Sequence, residues 1–404
     1  MSQKAMITGT GVISSLANSA TTLHSALCAG HCGLGPIGLF DVSALSCKTG
    51  GEVRDFDASV YLGDGNLRPL DRIAQLSTTA AHLALVNSGW TKEMCKQQDV
   101  GIVLGTVFSS VRTIGTFDRV GITRGPRFVK PLDFANTVIN SATGQTAIWH
   151  NLRGINSTMA TGTSSGLHAL GYASDLIRSG RSPVLLAGGS EELCFEMLFG
   201  FDRAGLLSDQ VTRAVPFDVG RTGFLVGEGA AFLMIESAES AQGRGAEVLG
   251  EIKGYGQAFD PSRGQQIEKT QAAMVGAIQA ALNSAGVGTQ DIDCISASAN
   301  GSVQTDRCEA RAIATCFGSC LATLPVTSIK SGIGETLGAS GAIQTVALLE
   351  AMRLGVLPGI CGLTHIEEGL LIQASKENRE ASMKNGLVLS FGFDGNMCAL
   401  VVSR

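Results

Sequence analysis

Residues 342–353 read as a helix that is apolar nearly all round. Ile343, Val346, Ala347, Leu348, Leu349, Ala351 and Met352 leave it no continuous polar face. Such a helix is stable only when it is covered on every side. The chain must therefore build layers thick enough to enclose a helix, and the rest of the sequence supplies them. Strand-like runs at 5–7, 100–105, 183–187, 230–235, 248–255, 293–297, 326–327, 386–390 and 398–402 alternate with helical periods at 21–29, 71–88, 164–179 and 271–285. Glycine turns are expected after the first run, at 8–11, and after the third, at Gly188-Gly189. The alternation predicts an α/β fold with helices covering sheets. Element order in the second half resembles that in the first, and no Pro- or Ser-rich linker separates them. The expected units are therefore 1–245 and 246–404, packed as one body. Segments 54–69 and 109–131 lack a clear period and read as long loops, which in compact folds often carry function or interface.

Composition narrows the function classes. The chain has 404 residues, 44% apolar and only 16% charged, which excludes disorder. Its 52 glycines come without a fixed period and with 9 prolines, so it is not collagen-like. A net charge of −5 argues against nucleic acid as the main partner. Low charge in so large a chain favours a big core, a large subunit interface, or both. The 11 cysteines are scattered. Cys28/Cys32 and Cys316/Cys320 have no CxxC pair or histidine beside them, so they read as reduced core thiols rather than a metal site. The polar start at 1–4 is no signal peptide, and no apolar run reaches the ~18 residues of a membrane span. The expectation is a cytoplasmic protein.

The segment STMATGTSSGLH at 157–168 carries the most chemical information. A strand-like run meets a small-residue turn, and a helix begins at once. Thr163 then sits at a helix N-terminus, where free N–H groups favour negative charge. Two readings fit this segment: a nucleophile elbow, or a Thr or Ser cap opening a buried helix.

Six motifs occur in order: MITGTGVIS at 6–14, AGGSE at 187–191, PFDVGRTGFLVGEGA at 216–230, SIKSGIG at 328–334, GASGA at 338–342 and SFGFDGN at 390–396. On these motifs the chain resembles the β-ketoacyl synthases over essentially its whole length. The resemblance implies a thiolase-like fold, two similar halves in an α-β-α-β-α arrangement. It also implies a Claisen condensation. A cysteine accepts an acyl group from the phosphopantetheine of an acyl carrier protein, and two histidines promote decarboxylation of the malonyl unit. No other cofactor and no metal is expected.

This chain replaces all three catalytic positions. Thr163 stands for the cysteine. SANGS at 298–302 places Asn300 where the family has its first histidine, with the following loop shortened before Asp306. KSGIGE at 330–335 keeps Lys330 but places Glu335 at the second histidine. A helix N-terminus makes a thiolate available near neutral pH, whereas a threonine hydroxyl needs a base. Asn300 is no base, and an anionic Glu335 would repel a developing enolate. Removing a nucleophile alone costs about 10⁶ in rate. His24, His31, His82, His150 and His365 lie in no substituting motif, and His168 reads as a packing residue.

The resemblance therefore points to the chain length factors of type II polyketide synthases, or to the inactive partners found in aryl polyene synthases. These ketosynthase-like chains pair with an active ketosynthase and shape the acyl tunnel at the dimer interface. Such chains often carry Gln at the cysteine position, and Thr163 departs from that. The resemblance implies tunnel residues after the strand at 100–105: Phe108, Arg112, Thr113, Thr116 and Phe117, with Phe108 and Phe117 the bulky candidates. It also implies a dimer stretch at 132–143 and a gate at Phe391 and Phe393, with Asp394 replacing a gate glycine. An alternative is a divergent acyltransferase, hydrolase or decarboxylase using Thr163 with Glu335, which needs the two within hydrogen-bond reach. A dinucleotide site at Gly9 and Gly11 is weaker, because the third glycine of that fingerprint is missing.

Overall fold

The structure is a computed structural model that describes residues 3–209 and 213–404. Met1 and Ser2, part of the polar stretch read as the chain start, lie outside the described residues. Ten strands carry the architecture: β1 (Ala5–Ser14), β2 (Gly101–Gly105), β3 (Asn156–Met159), β4 (Val184–Glu191), β5 (Gly229–Ser237), β6 (Gly250–Phe259), β7 (Cys294–Ser296), β8 (Pro325–Thr327), β9 (Asn385–Phe391) and β10 (Asn396–Ser403). The helices used below are α1 (Ala20–Cys28), α2 (Arg72–Asn87), α3 (Val111–Arg124), α4 (Ser141–His150), α5 (Ser165–Arg178), α6 (Phe195–Arg203), α7 (Ile267–Ala285), α8 (Val303–Phe317), α9 (Lys330–Ile333) and α10 (Ser340–Leu354).

The strand order of the first half is β1-β5-β4-β2-β3, and that of the second is β6-β10-β9-β7-β8. In both, the first two pairings are antiparallel and the last two parallel. The same order and the same pairing senses recur, so the likeness of the halves is topological. Pairing of Ala5, Met6 and Ile7 with Ile252, Glu251 and Gly250 joins the half-sheets, and a two-residue strand at Gln373–Ala374 extends the far edge.

Side chains of the inner strands alternate between two cores, as the pleat requires. In β5, Ala231, Leu233 and Ile235 enter the central core while Ala230, Phe232 and Met234 enter an outer one. In β10, Cys398, Leu400 and Val402 face the central core while Met397, Ala399 and Val401 face the other outer one. The helices α5 and α10 fill the central layer, α2 covers the first half-sheet, and α7 and α8 cover the second. This gives the five-layer thiolase-like arrangement. Residues 340–352 of α10 are all buried, as its apolar circumference requires.

Two expected glycine turns are strand interior instead. β1 runs through Gly9 and Gly11 with a register shift between Ile7 and Gly9, and β4 runs through Gly188 and Gly189. These glycines serve close packing. A Cβ on Gly11 would lie 2.1 Å from the Ala80 carbonyl oxygen of α2, and one on Gly189 would lie 2.2 Å from that of Gly338. The segment 109–131, expected as loop, contains the 14-residue helix α3, none of whose residues is buried within this chain. No helix among the described residues is long and apolar enough to cross a membrane.

Gly11→Ala is expected to lower stability by about 1–3 kcal/mol, because α2 must move away from β1. Gly144→Ala in α4, where a Cβ meets nothing within 4 Å, is the control and should not destabilise. Urea unfolding measures both. Equal midpoints for the two variants would contradict this account of the strand glycines.

Candidate functional site

The site forms where the N-terminus of α5, the loop after β7, the turn around α9 and the loop between β9 and β10 converge. β3 ends at Met159, and a 3-10 turn over Gly162–Ser164 leads into α5. Gly162 takes φ +64°, a left-handed conformation that favours glycine. Thr163 is buried. Neither expected capping side chain closes the helix. Ser164 at the N-cap makes no cap bond, and its hydroxyl donates back to the Thr161 carbonyl at 3.0 Å. A carboxylate from across the site takes the exposed amide instead: Thr163 N–H donates to Asp394 Oδ2 at 3.1 Å.

Asp394 is held firmly there. Its Oδ1 accepts from Asn396 N at 2.9 Å and Asn396 Nδ2 at 3.1 Å. A Cβ on Gly162 would fall 1.1 Å from its Oδ2, and one on Gly392 would fall 2.5 Å from its Oδ1. The loop accommodates Asp394 without strain, because the left-handed turn falls on Gly395, φ +96°. A negative charge beside the first N–H groups of α5 also suits the helix dipole. The position that favours an incoming anion is thus filled by the chain's own side chain.

Asn300, Lys330 and Glu335 form a closed network. Glu335 is buried and pairs with Lys330 Nζ at 2.7 Å. The same oxygen accepts from Asn300 Nδ2 at 2.9 Å, and the other accepts from Leu337 N at 2.9 Å and Ser340 Oγ at 2.6 Å. Lys330 also donates to the Ser298 carbonyl at 2.6 Å. Ser298 ties this network to β9, since its hydroxyl accepts from Phe391 N at 2.8 Å. Ser390, the neighbour of Phe391, donates to the Thr163 carbonyl at 3.4 Å. The structure thereby joins Thr163, Asn300, Lys330 and Glu335 in one chain of contacts. It does not join Thr163 to Glu335 through their side chains: Thr163 Oγ1 is buried with no hydrogen-bond partner. The contact required by the alternative acyl-transfer reading does not form. Both oxygens of the Glu335 carboxylate are already engaged by donors of this chain.

Three carboxyls to which the sequence reading gave no role support this network. Asp306, at the start of α8, accepts from Asn300 N at 3.1 Å, Gly301 N at 3.2 Å and Phe217 N at 3.0 Å. Glu309 accepts from Ser298 N at 2.7 Å. Glu191, at the end of β4, accepts from Val107 N at 2.7 Å and Gly338 N at 3.2 Å. Their sequence signal is faint. The Glu of AGGSE is legible, whereas Asp306 and Glu309 read as the polar face of a helix. Burial pushes all three up, Asp306 to about 6, Glu191 to about 7 and Glu309 to about 8, against the pull of their N–H donors.

The expected tunnel and gate residues separate. Phe108 and Phe393 both pack edge-on against Phe201 of α6, at ring distances of 6.1 and 5.7 Å. The sequence reading missed Phe201, although the spacing of Phe195, Phe199 and Phe201 marks an aromatic helix. Thr113 donates to Asp71 Oδ2 at 2.9 Å and, with Arg112 and Thr116, lines a polar cavity of about 210 Å³. Phe117 contacts Phe134, away from Phe201. Phe391 is buried in the second outer core. The histidines lie elsewhere. His24 and His150 bond to the Val356 and Thr78 carbonyls, and His168 packs edge-on against Tyr255 with burial pushing its ring down to about 4. Among the described residues no group of three or more metal-binding side chains forms. Six of the cysteines are buried, as core thiols should be, but Cys32 is exposed and Cys28, Cys316, Cys320 and Cys361 are half-buried.

The raised carboxyls make stability depend on pH. Between the range where an unfolded glutamate ionises and about pH 8, folded Glu309 keeps a proton that the unfolded chain has released. Stability therefore falls as pH rises through that window. Glu309→Gln removes this contribution and should flatten the fall in melting temperature between pH 6 and 8. A variant that tracks the parent chain across this range would rule Glu309 out as the source.

Family models place this geometry among known proteins. That for the β-ketoacyl synthase N-terminal domain matches residues 3–241, and that for the C-terminal domain matches 249–364. The 3-oxoacyl-[acyl-carrier-protein] synthase 2 of Coxiella burnetii is 32% identical over 408 residues, covering 100% of this chain and 99% of the relative. The protein of the same name from Vibrio cholerae is 29% identical, with 100% and 99% covered. Among solved structures, the ishigamide ketosynthase/chain length factor superposes with a TM-score of 0.93 at 28% identity, covering 100% of both chains. A β-ketoacyl synthase from Burkholderia phymatum gives 0.92 at 26%, covering 100% of this chain and 99% of the other. With the fold, the motif order and both domain models in agreement, the chain belongs to the β-ketoacyl synthase family.

Proposed function

We propose that this chain is a non-catalytic ketosynthase-like subunit of the chain length factor kind, which pairs with an active ketosynthase and helps shape the tunnel for a growing acyl chain. The observation that carries the reading is the self-occupied site. Asp394 sits on the Thr163 amide, Thr163 Oγ1 has no base, and Glu335 is consumed by Lys330, Asn300, Leu337 N and Ser340. The curated relatives carry the name of a synthase, and this chain departs from the family's chemistry at the three positions that perform it. The likeness to the ishigamide ketosynthase/chain length factor supports the same reading. Substrates would arrive on the phosphopantetheine of an acyl carrier protein engaged by the pair.

A partner is also called for by the surface. β3 is the edge of the sheet, and its residues are exposed or half-buried. Phe128, Leu132, Phe134, Val138 and Ile139 are also all exposed, within and next to the stretch expected as a dimer interface. An unpaired edge and an exposed apolar stretch are each a liability unless another chain covers them. An obligate pair buries about 2,000–5,000 Å² in total, which fits so weakly charged a chain. Tunnel length is assigned to Phe108, whose ring is connected to the gate ring Phe393 through Phe201.

Co-expression with a ketosynthase encoded beside it should yield a one-to-one complex by size-exclusion chromatography with mass detection, with condensing activity only in the complex. Phe108→Ala in that complex should shift products to longer chains. A homodimer indifferent to any ketosynthase would count against the reading. Incubated alone with acyl- and malonyl-carrier protein, the chain should show neither acylated Thr163 nor CO₂ release by mass spectrometry. Turnover abolished by Thr163→Ala would establish the divergent-enzyme alternative instead.

A further inference from the structure

Two thiols distant in sequence meet behind α9. Cys32 lies in the turn that follows α1, and Cys361 lies in the segment after β8 and α10. The Cys361 thiol donates to the Gly30 carbonyl of that turn at 3.1 Å and lies in side-chain contact with Cys32. Cys32 in turn donates to the Ser331 carbonyl of α9 at 3.5 Å, and Gly33 N–H donates to the Gly332 carbonyl at 2.7 Å. Cys32 is exposed and Cys361 half-buried. Arg213 donates to the Gly362 carbonyl at 2.6 Å, which sets a guanidinium beside both thiols.

This asymmetry divides the roles. Contact with Cys361, the Leu34 N–H and the Arg213 charge draw the Cys32 thiol down against its partial burial, while the same contact pushes Cys361 up. An exposed thiol drawn toward ionisation beside a half-buried thiol that keeps its proton is the arrangement of an attacking and a resolving cysteine. The nearest competitor by sequence, Cys28, faces His24 at 3.5 Å, and burial raises its thiol.

We propose that Cys32 and Cys361 are a redox-active pair that closes to a reversible disulfide when the chain meets a low-molecular-weight disulfide. The Cys32 thiolate attacks one sulfur of the small disulfide and expels the other half as a thiolate. Cys361 gives up its proton and attacks Cys32 Sγ in the mixed disulfide, which releases the second half. Two protein thiols are oxidised, and one small disulfide is reduced to two thiols. The bond staples turn 30–33 to segment 359–362, next to the helical turn that bears Lys330.

The test uses the native full-length chain and oxidised glutathione, followed by alkylation, digestion without reduction and mass spectrometry. The expected result is a linked peptide containing Cys32 and Cys361, loss of two of the 11 thiols, and recovery of both with dithiothreitol. Cys361→Ser should trap one glutathione on Cys32, and Cys32→Ser should leave Cys361 unmodified. Cys361→Ala provides a second trap if the serine variant folds poorly. Glutathione retained on Cys32 of the parent chain beside a free Cys361, a Cys28–Cys32 link, or two unreactive thiols would each overturn the proposal.

Discussion

The buried pair of Lys330 and Glu335 sets the terms for everything around it. Two charges removed from water are tolerated only when nearly every donor and acceptor is engaged. Here Asn300, Ser298, Ser340 and the Leu337 amide complete that set. The requirement fixes the loop after β7, the turn following α9 and the start of α10 against one another. It also fixes unusual backbone. Leu337 and Phe217 both have positive φ, and the N–H of each is held by a buried carboxylate, Glu335 for the first and Asp306 for the second. Strain of this kind persists where surrounding bonds over-determine it. In this chain the surrounding bonds are those of Asn300, Lys330, Glu335 and Asp306, which together form a structural wall.

A second constraint is how closely helix may approach helix and strand in the central layer. Gly166 of α5 leaves room for the Gly338 carbonyl, Gly189 of β4 leaves room for the same atom, and Gly341 of α10 lies against Leu167. With side chains at these points, α5 and α10 could not share one layer between the half-sheets. The same closeness delivers Thr163, at the head of α5, to the loop that carries Asp394.

Much of this was legible in the sequence. The all-round apolar run became the buried α10, and the continuous apolar strand at 230–235 became β5 with cores on both faces. What was not legible depends on tertiary neighbours. Gly9, Gly11, Gly188 and Gly189 look like turn formers until one sees which backbone lies against them. The helix α3 has no buried residue, so no clean apolar period announces it. Asp394 reads as a loop substitution, and only the fold shows that its carboxylate reaches across to Thr163 N. Phe201 lies far in sequence from both rings it bridges, so no local pattern could pair Phe108 with Phe393.

The open edge at β3 has a consequence for quantity as well as for shape. A sheet that ends in unpaired N–H and C=O groups offers itself to any extended segment in its surroundings. On the proposed pairing, copies made in excess of the ketosynthase have no companion to finish their sheet. They are the natural feedstock for aggregation and proteolysis. The amount of working complex would then follow the scarcer subunit, and matched synthesis of the two chains becomes part of what keeps this fold soluble.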